Sequence, residues 1–360
     1  LQGNSQQKYL QILSKRKIRL KKTASVYIPH MGCPNDCIFC NQVKISGQKT
    51  LLDYEAMREG IMSSISTMKE TDTVEIAFFG GSFTAIEKEV QERCLSLAND
   101  IAGQIGRQVQ IKLSTRPDAI DDEVIERLLR HKVHTVELGV QSMDDEVLRL
   151  NNRGHDSKSV YEACKLIRKT NIKLGLQLMI GLLGDSREKL YQTIEKVVDI
   201  RPDIARIYPV LVIKDTALER LYNEKKYQPI SLEDAVIYAK DMYKSFENAN
   251  IKVIRIGLQA TENIAVGKDM VAGPFHSAFG EMVISEIFRE NIEKLIIADN
   301  FNQKILSIAC PKTMISKIVG NKKKNIIYFK QKYDIDIRLE ESKQLIILGR
   351  QYEWEEFIKL

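Results

Sequence analysis

The chain has 360 residues, 44% of them hydrophobic and 28% charged, with a formal net charge of +6. This is the make-up of a globular protein with a sizeable core, long enough for one large domain and a smaller one, and it excludes a disordered or fibrous chain. No apolar run approaches the ~18 residues a membrane span needs, and the polar, then basic, start does not read as a secretory leader, so a cytoplasmic protein without membrane association is expected. The chain opens at Leu1 rather than methionine, which leaves open whether residues 1–5 are native.

In chain order, a basic segment comes first: Lys15, Arg16, Lys17, Arg19, Lys21 and Lys22 crowd residues 1–22. From residue 23, short apolar runs alternate with amphipathic stretches. The runs are Ser25–Pro29, Val74–Phe79, Val109–Ser114, Thr135–Val140, Lys173–Ile180 and Ile204–Val212, with a seventh at Lys252–Gly257. Helical spacing marks Tyr54–Met68, Lys88–Ile105, Asp122–Arg130, Asp145–Leu150, Ser157–Thr170 and Arg187–Asp199. Six βα units in a row predict an α/β fold, a parallel sheet rolled into a partial (β/α)6 barrel, with chemistry at the C-terminal ends of its strands. Such a barrel and its extension would occupy residues 23–290.

From 291 the order changes. Leu295–Ala298 and Lys304–Ala309 read as strands, Thr313–Val319 and Asn325–Lys332 as helices around Gly320, and Ile335–Leu339 and Gln344–Leu348 as strands. This predicts a small α+β domain over 291–360. Its turn, Gly320-Asn321-Lys322-Lys323-Lys324, is strongly basic and invites phosphate.

The chain holds six cysteines. Cys94, Cys164 and Cys310 sit in apolar patterns and read as small core residues. Cys33, Cys37 and Cys40 form a C-x3-C-x2-C motif on a loop shaped by Gly32, Pro34 and Asn35. A cubane iron–sulfur cluster takes four ligands, so three close thiolates leave one iron open to a ligand. A zinc site with His30 as fourth ligand is the alternative. Phe39, before the last cysteine, would shield a cluster.

These residues resemble the radical S-adenosylmethionine (SAM) superfamily. The likeness runs from about Ile28 to Lys226 and is greatest to the radical SAM half of the Elongator catalytic subunit, which carboxymethylates the tRNA wobble uridine. It is carried by the cysteines and by Phe79-Gly80-Gly81-Ser82-Phe83-Thr84, Ser114-Thr115-Arg116-Pro117-Asp118, Val136-Glu137-Leu138-Gly139-Val140-Gln141-Ser142, Asn152-Arg153-Gly154-His155 and Ile207-Tyr208-Pro209-Val210-Leu211-Val212-Ile213. The resemblance implies a [4Fe–4S] cluster on Cys33, Cys37 and Cys40 that reductively cleaves SAM to a 5′-deoxyadenosyl radical, with an electron donor such as flavodoxin or ferredoxin. It implies SAM contacts at Phe39, Gly80, Gly81, Ser82, Ser114, Gln141, Arg153 and Gln177, with Arg153 on the methionine carboxylate and Met179 beside the adenine. About 100 residues follow the seventh run, too few for the acetyltransferase-like domain of that subunit, and no glycine-rich pyrophosphate loop stands in them.

In place of that domain comes a loop-like stretch, Arg255–Thr261 and Val271–Gly280, whose His276 is with Tyr208 a candidate catalytic residue. The Gly320 turn resembles the GXXG loop of a KH RNA-binding module, with Lys323 replacing the second glycine. Together these predict a radical SAM enzyme acting on a tRNA or rRNA nucleoside. The alternative is one acting on a small molecule or cofactor precursor such as a porphyrinogen; a non-catalytic RNA-binding protein would need no open iron.

Overall fold

The computed structural model describes residues 21–28, 37–41, 52–258 and 268–360. The basic residues up to Arg19, and Cys33, His30, Gly32, Pro34 and Asn35 of the cysteine loop, lie outside the described residues.

Seven strands form one parallel sheet: β1 (Lys21–Ile28), β2 (Thr73–Gly80), β3 (Val109–Thr115), β4 (Val133–Gln141), β5 (Lys173–Ile180), β6 (Ile204–Pro209) and β8 (Lys252–Ile256). They lie side by side in that order, each parallel to its neighbours. The first five crossovers carry helices: α1 (Tyr54–Ser66), α2 (Lys88–Ile105), α3 (Asp122–Arg130), the pair α4 (Asp145–Leu150) and α5 (Ser157–Arg168), and α6 (Arg187–Ile200). Two more, α7 (Ala217–Asn223) and α8 (Leu232–Asn248), precede β8. The result is an open half-barrel, as the βα alternation predicts, with Lys252–Ile256 as its seventh strand.

Local chemistry sets the helix starts. Asp53, Asp121, Asp144, Asp156, Ser186, Thr216 and Ser231 each accept a backbone N–H two or three residues ahead, satisfying donors that a helix start leaves unpaired. Strand period sets the layers. On β5, Leu174, Leu176, Leu178 and Ile180 are buried on one face, while Gln177 and Met179 on the other line the cavity inside the barrel. Cys94, Cys164 and Cys310 are buried core residues.

Four boundaries differ from the sequence reading. β1 starts at Lys21, so Lys21 and Lys22 belong to the sheet, where Lys21 pairs with the buried Glu75. The run Ile204–Val212 breaks at Pro209: Val210 donates to Ile180 O, and β7 (Val212–Ile213) pairs antiparallel with β9 (Met270–Ala272). Proline has no N–H with which to continue a ladder. Leu295–Ala298 is not a strand but the last turn of α9 (Phe279–Ala298). Phe279, Val283, Ile287, Phe288, Ile292, Leu295 and Ile296 recur at helical spacing and are all buried, so Leu295 and Ile296 continue a stripe that began sixteen residues earlier, while Ile297 and Ala298 are exposed. The chain also adds β13 (Arg350–Tyr352) and α12 (Trp354–Phe357) near its end.

α9 passes through residue 290. Its first half packs into the barrel core through Phe279, Val283 and Ile287. Phe288, Ile292, Leu295 and Ile296 pack into a second core with Leu306, Ile308, Ile318, Phe329, Ile347 and Phe357. That core is covered by β10 (Ile305–Cys310), α10 (Lys312–Val319), α11 (Lys324–Tyr333), β11 (Asp336–Glu341) and β12 (Leu345–Ile347). The sheet order is β11-β10-β12-β13, with β10 and β11 parallel and the other pairs antiparallel.

Gly320 ends α10 at φ 78, and Lys322 and Lys323 follow in the left-handed region at φ 50 and 60. Buried Asn325 fixes this turn to α9 by donating to Ser285 O, Ser285 Oγ and Ile318 O at 2.9, 3.0 and 3.0 Å.

Candidate active site

The C-terminal ends of the strands enclose a cavity of about 450 Å³. Phe39, Gly80, Gly81, Ser82, Ser114, Gln141, Arg153 and Gln177, which the sequence places at the ends of four strands and on two loops, all line it, together with Cys40, Met179 and Tyr208. His276 is not brought there. Its Nδ1 accepts from Ala278 N and its Nε2 lies 3.4 Å from Asn321 Nδ2, so it sits beside the lysine turn.

The cysteine loop is pinned on two sides. Ile38 N donates to Asn151 O at 3.3 Å, and Leu218 N donates to Ile38 O at 2.7 Å. Cys40 N donates to Cys37 O at 3.0 Å, closing a turn that leaves both sulfurs half-buried. At the end of β2, Gly80 has φ 110, and a Cβ there would lie 2.2 Å from Ile28 O and 2.7 Å from the Tyr27 ring. Only glycine allows β2 to turn against β1 so closely. Beyond it, the Thr84 and Thr115 hydroxyls meet at 2.6 Å and tie this loop to the end of β3.

On β4 the register slips between Gly139 and Gln141, and Gln141 takes φ 70. The bulge leaves its side chain lining the cavity with Oε1 buried and unpaired. Arg153 is 6% exposed and forms no ion pair with any described residue. Its Nη2 donates to Gly139 O at 2.5 Å, its Nη1 donates to Cys37 Sγ at 3.0 Å, and its Nε is buried without a partner. Arg116 buttresses it, donating to Arg153 O while forking onto both oxygens of Asp118 at 2.9 and 3.0 Å. Beneath lies His155, whose side chain is fully buried and whose pKa is pushed down to about 4, first by burial and then by the Arg153 charge.

Sequence reasoning missed the charged wall of the cavity. Glu137 on β4 accepts from Lys112 Nζ at 2.5 Å and from Arg206 Nε at 3.0 Å, and Arg206 Nη1 donates to Tyr208 Oη at 3.1 Å. Burial pushes the Lys112 ammonium below its usual range against the pull of Glu137. Lys112 and Arg206 also flank the Phe79 ring, at 5.7 and 5.5 Å from its centroid. Inward-facing charges on β3, β4 and β6 were the available signal, since a barrel interior is otherwise filled by branched apolar side chains.

These residues fit a cluster and SAM. A guanidinium donor suits a sulfur that is a thiolate, unpaired Arg153 Nε suits a carboxylate, and unpaired Gln141 Oε1 suits an ammonium or hydroxyl. Gly80 and Gly81 line the cavity without side chains of their own, so a ligand there would meet backbone.

The comparisons agree. The model of the radical SAM superfamily matches residues 27–197, and that of the Radical_SAM C-terminal domain matches residues 202–289. The tRNA uridine(34) acetyltransferase of Methanocaldococcus infernus is 32% identical over 194 residues, 48% of this chain and 36% of that protein. The chain thus spans about a third of that relative's length. Protein YhcC of Escherichia coli is 25% identical over 231 residues, 59% of this chain and 71% of that one. The solved structure of archaeal Elp3 from Methanocaldococcus infernus shares the fold, with a TM-score of 0.58 at 23% identity, covering 80% of this chain and 65% of that one. With two consecutive family models over most of its length, the chain belongs to the radical SAM superfamily, which uses a [4Fe–4S] cluster and SAM.

Proposed function

We propose that the protein reductively cleaves SAM and uses the radical to modify a tRNA or rRNA nucleoside. When bound, the cluster supplies the electron that splits the sulfonium into methionine and a 5′-deoxyadenosyl radical, drawn from a flavodoxin- or ferredoxin-type donor. Cys37 and Cys40, with Cys33, would hold the cluster. Arg153 Nε would take the methionine carboxylate, and Gly80-Gly81 the amino group. Gln141, Ser114 and Gln177 would orient the ribose and its neighbours, and Phe39 with Phe79 would keep water from the reacting atoms. Tyr208, held by Arg206, stands on the wall at which a substrate would meet the radical.

The observation that favours RNA is a lysine-rich segment in the C-terminal part of the chain. Between Asp299 and Asp334 the chain carries eight lysines and no acidic residue. Lys304, Lys330 and Lys332 pair with Asp334, Asp336 or Glu293. Among the described residues, Lys312, Lys317, Lys322, Lys323 and Lys324 form no ion pair, and all but the half-buried Lys317 are exposed. Unpaired cations, two on α10 and three at the turn that follows it, suit a phosphate backbone. A KH-like contact at Gly320-Asn321-Lys322-Lys323 is part of this reading. Lys323, which stands where the module has its second glycine, already holds the left-handed backbone that a glycine would favour. The matched relative named as a tRNA uridine(34) acetyltransferase also supports an RNA target.

The test has two arms. Reconstituted anaerobically, the protein should bind four irons per chain and release 5′-deoxyadenosine from SAM with a low-potential reductant. Nucleoside mass spectrometry of tRNA and rRNA from a deletion strain should show one modified nucleoside lost. Cleavage of SAM with an unchanged nucleoside profile would move the substrate to a small molecule; no cleavage at all would refute the enzyme reading.

A further inference from the structure

Arg153 does more than wait for a carboxylate. Its guanidinium is already fixed by Gly139 O through Nη2, and its main chain is fixed by Leu148 O and by Arg116. From that position Nη1 reaches Cys37 Sγ at 3.0 Å. The preceding residues clamp the same point of the loop, because Asn151 O accepts the N–H of Ile38. Asn151 is itself locked by donating to Val147 O and Leu183 O at 2.7 and 2.9 Å and accepting from Leu183 N at 3.2 Å. The segment Asn151–Arg153 therefore holds Cys37 by backbone and by charge at once, and neither contact depends on SAM.

We propose that Arg153 is a positioning residue for the iron–sulfur cluster, raising its reduction potential through a charge-assisted N–H···S bond to the Cys37 thiolate. Adding an electron to a cluster makes its thiolate sulfurs more negative. A cation donating to one of them then binds more strongly in the reduced state, which shifts the potential upward. Burial strengthens the effect, since Arg153 is 6% exposed and little solvent screens it. The SAM carboxylate would engage the remaining Nε–H, so one guanidinium faces both the sulfur and the ligand. The inference rests on cluster binding alone and not on the RNA reading.

The experiment is an EPR-monitored reductive titration of the reconstituted protein without SAM or RNA, for the wild type and Arg153→Gln. The variant should hold four irons per chain with a lower midpoint. At the wild-type midpoint its ratio of reduced to oxidised cluster should fall about tenfold, equivalent to about 59 mV for a one-electron couple. An unchanged or higher midpoint in a fully loaded variant overturns the proposal. A second measurement needs no variant: wild-type protein carrying 15N-labelled arginine should show a 15N hyperfine coupling to the reduced cluster in pulsed EPR. If Arg153→Gln takes up fewer than four irons, that coupling decides, its presence supporting the N–H···S bond and its absence overturning it. A loss of SAM cleavage or of RNA modification would leave both readouts standing, so failure of the functional reading and failure of this one remain distinct.

Discussion

The proposed RNA contact at the lysine turn has a quantitative test. Replacing Lys322 and Lys323 together by glutamine removes two of the five unpaired lysines of α10 and the turn that follows it, without adding repulsion. Each lysine that neutralises a phosphate of a single strand contributes about 0.7 to the slope of log affinity against log salt, so five give a slope of about −3.5 and three about −2.1. Between 0.1 and 0.4 M KCl the wild type should lose about 100-fold in affinity and the double variant about 20-fold. Fluorescence anisotropy with labelled, unmodified tRNA across that range reads both slopes. Gly320, Asn325 and the buried face of α11 are untouched, so circular dichroism and thermal stability should not change. A double variant with the wild-type slope and affinity would refute phosphate contact at this turn, and the KH-like reading with it.

Two further outcomes test the packing around the cavity. Gly80→Ala should cost about 2–6 kcal/mol, combining backbone strain of about 1–3 with a clash of similar size against the Ile28 carbonyl. Gly60→Ala, on an exposed helix position with nothing within 4 Å, should instead add about 0.5–1 kcal/mol. Urea midpoints at constant m-value check both; equal effects at the two glycines would contradict the close approach at Gly80. His155 gives a pH signature. With a folded pKa near 4 against about 6.5 when unfolded, it takes up a proton only on unfolding between those values. Stability should therefore fall by about 3 kcal/mol as the pH drops from 6.5 to 4, and this share of the loss should vanish in His155→Gln. Urea titrations of both proteins at pH 7 and 4.5 measure it, and parallel pH dependence would contradict a buried neutral imidazole.

Much of the fold was legible because its signals are local. The βα alternation, the capping Asp, Ser and Thr residues and the glycines at strand ends act within a few residues, and the strand-end motifs converge because a parallel sheet brings all those ends to one rim. What was not legible depends on sheet order or on distant partners. Glu137, Lys112 and Arg206 each read as one polar residue in an alternating strand, and become a network only when β3, β4, β5 and β6 lie side by side. Leu295–Ala298 reads as a strand in a short window and as a helix end once the stripe from Phe279 is followed. His276 carries the residue type of a catalytic group, but its place beside Asn321 follows from how β9 and α9 position the loop between them. Arg153 was expected to face a carboxylate; its bond to Cys37 joins residues 116 positions apart in sequence.

The continuous α9 has a consequence for how the protein can be divided. A gene split at residue 290, where the change in sequence pattern suggests a boundary, would cut the helix in mid-course. The first fragment would keep Val283 and Ile287 in the barrel core but carry off Phe288, whose ring partners Trp354 and Phe357 lie in the second, and Ile292 and Ile296 would start the second fragment without the helix turns that precede them. Because the two cores share one rigid rod, unfolding of either should propagate to its neighbour. The lysine turn, moored to the same rod through Asn325, is then held at a set distance from the cavity, and on the proposed function the reach from phosphate contact to radical is set by the fold rather than by a linker.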